Sequence, residues 1–268
     1  MIRLDRIRLV SADPEALARF FTAALGFSRE GATSPAPGET VVPLRLGAQG
    51  IDLVGHAAPG RPYPAEVPGW SPLFQHVAIV VSDMAAAHAR LRAIPGWRPI
   101  STAGPERLPA ASGGVTAFKF RDPEGHPLEF LEFPPGGVPD AWRGAGADLC
   151  LGLDHSAISV ADTQASLAFY RGLGFTVLSR SINAGPEQAR LDGVPDPQVA
   201  VMGLRPPGAP TPHLELLCYA GAFPRAGLTC GDSDVAATVL VFSGVEEGPS
   251  DLPPRMLRDP DGHRLWLP

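Results

Sequence analysis

A single local pattern recurs along the chain and constrains its fold more than any other feature. Its clearest copy, residues 153–175, reads LDHSAISVADTQASLAFYRGLGF. The first part alternates, which is typical of a strand with His155 and every second residue after it on one face. Asp162 then provides a helix N-cap, and Gly174 follows the helix, where glycine accepts a left-handed backbone. The pattern therefore predicts a strand, a capped helix and a tight exit.

Two earlier segments repeat this unit. Residues 4–27 carry Arg6 in the register of His155 and leave their helix through the same Leu-Gly-Phe. A third copy begins near residue 74 and places His76 in that register. Internal repeats of this kind predict an architecture built from similar modules.

A second signature, Asp-Pro-x-Gly-His, marks the point where two modules close. Residues 122–126 form a tight turn before the strand PLEFLEF, on which Glu129 and Leu131 share a face. Residues 259–263 repeat the turn before the last strand. Only a short, proline-rich stretch separates that turn from the first strand of the fourth module. We therefore expect the fourth module to be truncated and to lack a helix.

These units, and the proline- and glycine-rich stretches between them, predict two halves of two modules each. The N-terminal half spans 1–135, with modules at 1–58 and 73–135. The C-terminal half spans 150–268, with a module at 150–220 and the truncated one at 228–268.

The composition is typical of a soluble protein that acts on small molecules. The chain has 268 residues, of which 44% are hydrophobic and 19% are charged. No apolar run approaches the roughly 20 residues of a membrane span, so we expect a cytoplasmic protein without membrane contact. The three cysteines show no CxxC spacing, which argues against a disulfide framework or a zinc knuckle. A net charge of −6 without a basic cluster argues against nucleic acid as a partner, and the sequence leaves self-association open.

The His-bearing strand, the capped helix ending in Leu-Gly-Phe and the DPxGHxLE sequence at 122–129 resemble the vicinal oxygen chelate superfamily. That superfamily includes glyoxalase I, methylmalonyl-CoA epimerase, fosfomycin resistance proteins, bleomycin-binding proteins and extradiol dioxygenases. The resemblance implies an α+β fold of four βαβββ-type modules, the fourth truncated, forming two glyoxalase-like domains with curved mixed sheets. In such folds two modules curl around one cleft for a metal and a substrate.

The resemblance also implies where metal ligands lie, because the first and last strands of each module each offer one inward residue. The matching positions are Arg6 and Asp52, His76 and Glu129, His155 and Glu215, and Ala237 or Thr238 with Trp266. Pairing the modules in chain order would leave each cleft with one complete ligand pair. Pairing the second module with the third gathers two imidazoles and two carboxylates around one divalent metal, and we favour this arrangement. The expected ligands are His76, Glu129, His155 and Glu215, for Ni, Zn, Mn or Fe(II). Modules one and four would then form a metal-free cleft.

Residue chemistry gives a separate reason to single out the two glutamates. Glu129 and Glu215 lie within apolar strand sequence, where an unpaired buried carboxylate is costly, although an exposed face is the alternative. His213 shares the face of Glu215 and is a substitute ligand or a partner of a ligand. We interpret His126 and His263 as residues of the DPxGH turns rather than as ligands.

Three functions fit these residues. The leading hypothesis is a glyoxalase I-like lyase or isomerase, or an epimerase, in which Glu129 or Glu215 moves a proton beside a substrate carbonyl. The second is an extradiol-type ring-cleaving dioxygenase, which needs iron held by two histidines and one carboxylate. The third is a bleomycin-resistance-like protein that binds a small molecule without catalysis. The sequence leaves the substrate, the metal and the choice of base open, and Arg6, Lys119 and Arg121 are candidates for binding an anionic group.

Overall fold

The computed structural model describes residues 1–31, 35–144, 148–221, 230–244 and 255–267. The first module comprises β1 (Ile2–Val10), α1 (Pro14–Leu25), β2 (Ser28–Arg29), β3 (Glu39–Leu46) and β4 (Gln49–His56). The second comprises β5 (Gln75–Val81), α2 (Met84–Arg92), β6 (Arg98–Pro99), β7 (Glu106–Arg107), β8 (Thr116–Arg121) and β9 (Pro127–Glu132). The third comprises β10 (Cys150–Ser159), α3 (Thr163–Gly172), β11 (Thr176–Ala184), α4 (Pro186–Asp192), β12 (Gln198–Arg205) and β13 (His213–Tyr219). The fourth contributes β14 (Thr238–Gly244), β15 (Arg255–Arg258) and β16 (Arg264–Leu267).

This order confirms the α+β class and the layout of four modules with a shortened fourth. The expectation that the fourth module lacks a helix falls on residues 245–254, which lie outside the described residues. The short helix α4 was not predicted.

The three longer helices begin at aspartates that cap them. Asp13, Asp83 and Asp162 each accept a hydrogen bond from a backbone amide two or three residues further on. Gly26 ends α1 with φ of 78°, and Gly174 follows α3 with φ of 88°, so the repeated Leu-Gly-Phe supplies a left-handed exit twice. Among the described residues, no helix combines the length and the apolar character that a membrane span requires.

The strands form two sheets, which we name outer and inner. The outer sheet has the order β15-β16-β14-β1-β4-β3-β2, and the inner sheet has the order β11-β12-β13-β10-β5-β9-β8-β6, with β7 against β8. The outer sheet therefore joins modules one and four through the antiparallel pair β1 and β14. The inner sheet joins modules two and three through the antiparallel pair β5 and β10. Each sheet takes strands from both predicted halves, whose boundaries at 135 and 150 stay predictions.

One hydrophobic core packs α1, α2 and α3 against both sheets. In β5 it takes every second residue, Val77, Ile79 and Val81. Because successive strand residues point to opposite faces, His76 and Ala78 point to the other side of the inner sheet. We call that side of the inner sheet the site face. It includes the residues of neighbouring strands that lie level with His76 and Ala78.

The two DPxGH turns attach one sheet to the other. Glu124, in the first turn, accepts hydrogen bonds from the backbone amides of Ala12 and Asp13 at 3.0 and 2.9 Å. Asp261, in the second turn, accepts one from the amide of Ala161 at 3.0 Å. The first turn thus links module two to module one, and the second links module four to module three.

Candidate metal centre

The strand register brings the expected ligands onto the site face. One row across the inner sheet consists of His213, His155, Ala78, Glu129 and Lys119, and the next of Glu215, Ala157 and His76. Ala78 and Ala157 are fully buried at the middle of these rows. Their small side chains leave room in which the longer polar side chains converge.

Three of the four expected ligands form a tight buried group. Nε2 of His76 lies 2.9 Å from Oε2 of Glu129, and Nε2 of His155 lies 3.7 Å from the same oxygen. One ligand atom from each residue lies within 4.8 Å of the other two. His76, Glu129 and His155 are only 1%, 5% and 5% exposed.

Within the described residues, the imidazoles of this group have buried nitrogens without hydrogen-bond partners. These nitrogens are Nδ1 and Nε2 of His76 and Nε2 of His155. Nε2 of His76 lies 2.9 Å from Oε2 of Glu129, but this contact is not aligned as a hydrogen bond. An unsatisfied buried polar atom is costly, and a divalent cation at the centre of the group would satisfy these nitrogens. Two imidazoles and a carboxylate fit a borderline divalent metal.

The fourth expected ligand, Glu215, lies at the edge of the group. Its Oε2 is 3.6 Å from Nε2 of His155, and its Oε1 is 3.4 Å from Nε2 of His213. Its side chain is 21% exposed, against 7% for Glu129. Glu215 therefore reaches the centre beside His155 but is less enclosed than Glu129, and His213 is its neighbour as the shared strand face predicts.

Asp154 contacts His155 from the side away from Glu129, and the sequence did not indicate it. Its Oδ2 lies 3.0 Å from Nδ1 of His155, and its Oδ1 accepts a hydrogen bond from Nε1 of Trp142 at 2.9 Å. Strict alternation would put Asp154 on the opposite face from His155. A β-bulge removes that alternation, because Leu153 pairs with Ile79 while His155 pairs with the very next residue along β5.

Lys119 stands beside Glu129 but is paired with a residue of α4. Its Nζ lies 2.8 Å from Oδ1 of Asp192. The other oxygen of Asp192 accepts hydrogen bonds from the hydroxyl of Tyr219 at 2.8 Å and from Nε2 of Gln188 at 2.7 Å. The α4 helix is thereby fixed over the inner sheet, and Lys119 supplies a buried positive charge next to the centre.

The charges of the centre compensate one another. Burial disfavours the carboxylate of Glu129, but Lys119 and two imidazoles hold its pKa well below the usual range. Burial also opposes ionisation of Glu215, yet neighbouring imidazoles lower its pKa to about 2. Burial and Lys119 lower the pKa of His76, whereas carboxylates, Glu215 first, hold the pKa of His155 well above its usual range despite burial. In the metal-free protein a charged His155 therefore lies between carboxylates.

The matching positions of the outer sheet hold an ion pair instead of ligands. Nε of Arg6 lies 2.7 Å from Oδ1 of Asp52, and its Nη1 lies 2.6 Å from Oε2 of Glu30. The register corrects one expected position, because Val239 pairs with Arg8 as His76 pairs with Ala157. Val239, rather than Ala237 or Thr238, is thus the counterpart of His76.

The remaining counterpart is as expected: Trp266 pairs with Val241 as Glu129 pairs with Ala78. A valine and a tryptophan offer no ligand for a divalent metal. In the described part of the outer sheet, no group of three potential ligands converges.

Two of the candidates for anion binding are also occupied within the protein. Arg6 is held by Asp52 and Glu30, as above. Arg121 donates to the backbone carbonyl oxygens of Gly125 and Val67 at 2.8 and 2.6 Å. Both guanidinium groups therefore have structural partners.

Comparisons with solved structures show the same fold in a plant enzyme. Glyoxalase I from Zea mays aligns over 99% of this chain and 92% of its own, with a TM-score of 0.62 and 15% identity. A V278E mutant of that glyoxalase I aligns over the same shares with a TM-score of 0.65 and 15% identity. No curated protein matches this sequence.

A family model matches residues 3–130 and 152–267, which together are most of the chain. Those two segments contain both sheets, both DPxGH turns and all four expected ligands. The chain therefore belongs to the Glyoxalase/Bleomycin resistance protein/Dioxygenase superfamily.

Proposed function

We propose that this protein is a metal-dependent isomerase or epimerase for a small substrate with two adjacent oxygen atoms. His76, Glu129 and His155 would hold the metal, and Glu215 would carry the proton. The observation that supports this most is the unequal placement of the two glutamates. Glu129 is enclosed between both histidines, whereas Glu215 lies at the more exposed edge, 3.6 Å from one of them.

A divalent ion, when bound, would act as a Lewis acid on both substrate oxygens. The protein's own residues would supply the rest. Glu215 is the most exposed of the four side chains, so a substrate would approach the metal from its side, and the burial of the other three would limit water. Glu215 would take a proton from the carbon beside the carbonyl and return it to the neighbouring carbon or to the opposite face.

The low pKa of Glu215 does not prevent this role. Burial opposes ionisation of Glu215, but the imidazoles of His155 and His213 lower its pKa to about 2 in the metal-free protein. A ligating His155 is neutral, so it no longer stabilises the carboxylate of Glu215 by charge. The bound cation would supply positive charge in its place, so Glu215 would stay ionised, which is the form that accepts a proton.

A ring-cleaving dioxygenase is the second candidate, and one observation favours it. The group that converges within 4.8 Å has two histidines and one glutamate, which is the set that non-haem iron oxygenases use. In that case Glu215 would have no essential role. The two proposals therefore differ in what they predict for a Glu215→Gln variant.

The test compares the wild type with Glu215→Gln and with Asp52→Asn, the matching position of the outer sheet. Each protein is stripped with a chelator, reloaded with Ni, Zn, Mn or Fe(II), and analysed for metal content. Hemithioacetal isomerisation, epimerisation and substrate deuterium uptake from heavy water are then measured. We expect one metal per chain in all three proteins, and a loss of turnover and deuterium uptake of about 10²- to 10⁴-fold in Glu215→Gln alone.

Equal turnover in Glu215→Gln and wild type would contradict the role of that residue. Oxygen consumption with catechols by the Fe(II) protein, unchanged in Glu215→Gln, would support the dioxygenase instead. A wild type that takes up no stoichiometric metal under any loading would rule out both enzymes and leave small-molecule binding as the function.

A further inference from the structure

We infer that Asp154, held by Trp142, is a positioning residue that fixes which nitrogen of His155 faces the metal. The inference rests on the proposed metal centre. It concerns residues outside the ligand set: one on the bulge of β10, and one in the connection between the second and third modules.

The two carboxylate oxygens of Asp154 contact different nitrogen atoms. Oδ1 accepts from the indole Nε1 of Trp142 at 2.9 Å, and Oδ2 lies 3.0 Å from Nδ1 of His155. Both carboxylate oxygens therefore serve as acceptors, and an indole nitrogen can only donate. Trp142 and Asp154 are 6% and 5% exposed, so water does not readily replace either contact.

This arrangement determines the tautomer of His155. Because Oδ2 can only accept, Nδ1 of His155 must carry a hydrogen and donate it. A neutral imidazole has one such hydrogen, so its Nε2 keeps a free lone pair. Nε2 is the atom that lies 3.7 Å from Oε2 of Glu129 and 3.6 Å from Oε2 of Glu215. Asp154 thus directs the lone pair of His155 to the centre, as carboxylates behind ligating histidines do.

The outer sheet provides an internal comparison. β1 has a bulge at the same place, between Leu4 and Arg6, so Asp5 corresponds to Asp154. Asp5 pairs with the side chain of exposed Arg3 at 3.4 Å, and its own side chain is 37% exposed. The same bulge with an aspartate therefore occurs once beside an expected ligand and once on the surface, and Asp5→Asn is a matched control.

Asparagine at position 154 should disrupt the arrangement because its amide has one acceptor oxygen instead of two. Trp142 can bond only to that oxygen, so the amide NH₂ group must face Nδ1 of His155. Two donors would then oppose each other unless Nδ1 loses its hydrogen and Nε2 gains one. A protonated Nε2 cannot ligate a metal, so Asp154→Asn should bind it more weakly.

Removing the indole hydrogen should reverse this effect. In the double variant Asp154→Asn with Trp142→Phe, the amide is free to turn its oxygen towards Nδ1 of His155. A metal affinity that recovers in the double variant cannot be explained by general damage to the fold, because the second substitution only removes a further contact.

The experiment measures zinc affinity by competition with a chromophoric chelator for the wild type, both variants and Asp5→Asn. The Nδ1 hydrogen of His155 is observed by NMR in the zinc-loaded wild type and assigned by its loss in His155→Gln. We expect to observe that resonance in the wild type. The zinc affinity should be 10- to 100-fold weaker in Asp154→Asn and should recover to within about threefold of the wild-type value in the double variant. Asp5→Asn should leave the zinc affinity unchanged.

The outcomes separate this inference from the proposed function. No stoichiometric zinc in the wild type would refute the metal centre itself. Zinc binding without a His155 Nδ1 hydrogen would refute the inference, even if Asp154→Asn failed to fold. Unchanged affinity in Asp154→Asn, or an affinity that stays low in the double variant, would refute it as well.

Discussion

Nε2 of His126 lies 2.9 Å from the backbone carbonyl oxygen of Val10, at the end of the first strand of the outer sheet. The other ring nitrogen lies 2.7 Å from Oδ2 of Asp122, and Nε2 also lies 3.1 Å from the carbonyl oxygen of Val235. Both nitrogens thus face acceptors, which favours the charged imidazolium. His126 is therefore a buried cation that joins the inner sheet to the outer one.

Stability should depend on pH through His126. Burial opposes the charged form, but Asp122 and the backbone acceptor at Val10 raise its pKa above the usual value. The stabilising contribution is therefore complete below the unfolded-state pKa of about 6.5 and is lost as pH rises through the higher folded-state value. We expect His126→Asn to be less stable than wild type by about 1–3 kcal/mol at pH 6, with the gap shrinking towards pH 9. Urea midpoints across this range test it, and a gap independent of pH would contradict it.

The buried pair of Lys119 and Asp192 should show strong coupling. Lys119→Met leaves the carboxylate of Asp192 buried with two hydrogen-bond donors but no cation, which should cost about 3–5 kcal/mol. The double variant Lys119→Met with Asp192→Asn removes the uncompensated charge and should recover most of that loss. A double-mutant cycle on urea unfolding measures the coupling, and additive effects would show that the two groups act independently.

The ion pair in the outer sheet should stabilise the fold without serving the metal centre. Arg6→Met leaves the partly buried carboxylate of Asp52 without its paired cation, whereas Glu30 keeps its contact with Arg45, and we expect a loss of about 2 kcal/mol at pH 7. Burial already raises the pKa of Asp52, so protonation should restore part of this stability as pH falls towards 4. Arg3→Met, which removes a surface ion pair, should change stability by no more than about 0.5 kcal/mol. Calorimetry at both pH values compares the two, and an equal effect at pH 4 and 7 would contradict the charge argument.

Gly152 should resist substitution because two side chains occupy the space beside it. A Cβ atom there would lie 2.6 Å from Oε1 of Gln49 and 2.7 Å from the ring of Trp142. Gly152→Ala should therefore destabilise the protein by about 1–3 kcal/mol and shift the fluorescence of Trp142. At Gly172, the last residue of α3, a Cβ atom meets nothing within 4 Å, so Gly172→Ala should be neutral or slightly stabilising. Thermal unfolding with fluorescence detection distinguishes the two.

The sequence predicts the elements of this fold well where the signals are local. Alternation, the aspartate caps and the DPxGH turns need only neighbouring residues, and strands, helices and turns occur where those signals lie. The pairing of His76 and His155 with their glutamates could also be predicted, because the family resemblance assigns one inward residue to the first strand and one to the last strand of each module. The side of the strand on which each of these residues lies follows from its position within the repeated module.

The parts that sequence reasoning missed depend on pairing between strands. Asp154 contacts His155 only because of a bulge. The bulge depends on how β10 pairs with β5, and the alternation of residues along β10 does not indicate it. The predicted counterpart of His76, Ala237 or Thr238, was one or two residues before the observed Val239 for a similar reason, since the register of β14 with β1 fixes it. The helix α4 is short and begins at Pro186 without a side-chain cap, and its buried contact between Asp192 and Lys119 spans 73 residues.

The strand order also has a consequence for folding during synthesis. The inner sheet needs only residues 75–219, so its strands can pair before the fourth module has left the ribosome. β1 emerges before the inner sheet, yet one of its edges pairs with β14, and Arg3 bonds Ser243 across 240 residues. Contacts this distant in sequence form slowly. The nascent chain would thus complete its candidate metal centre while its first strand still exposes an open edge, and the outer sheet would close last.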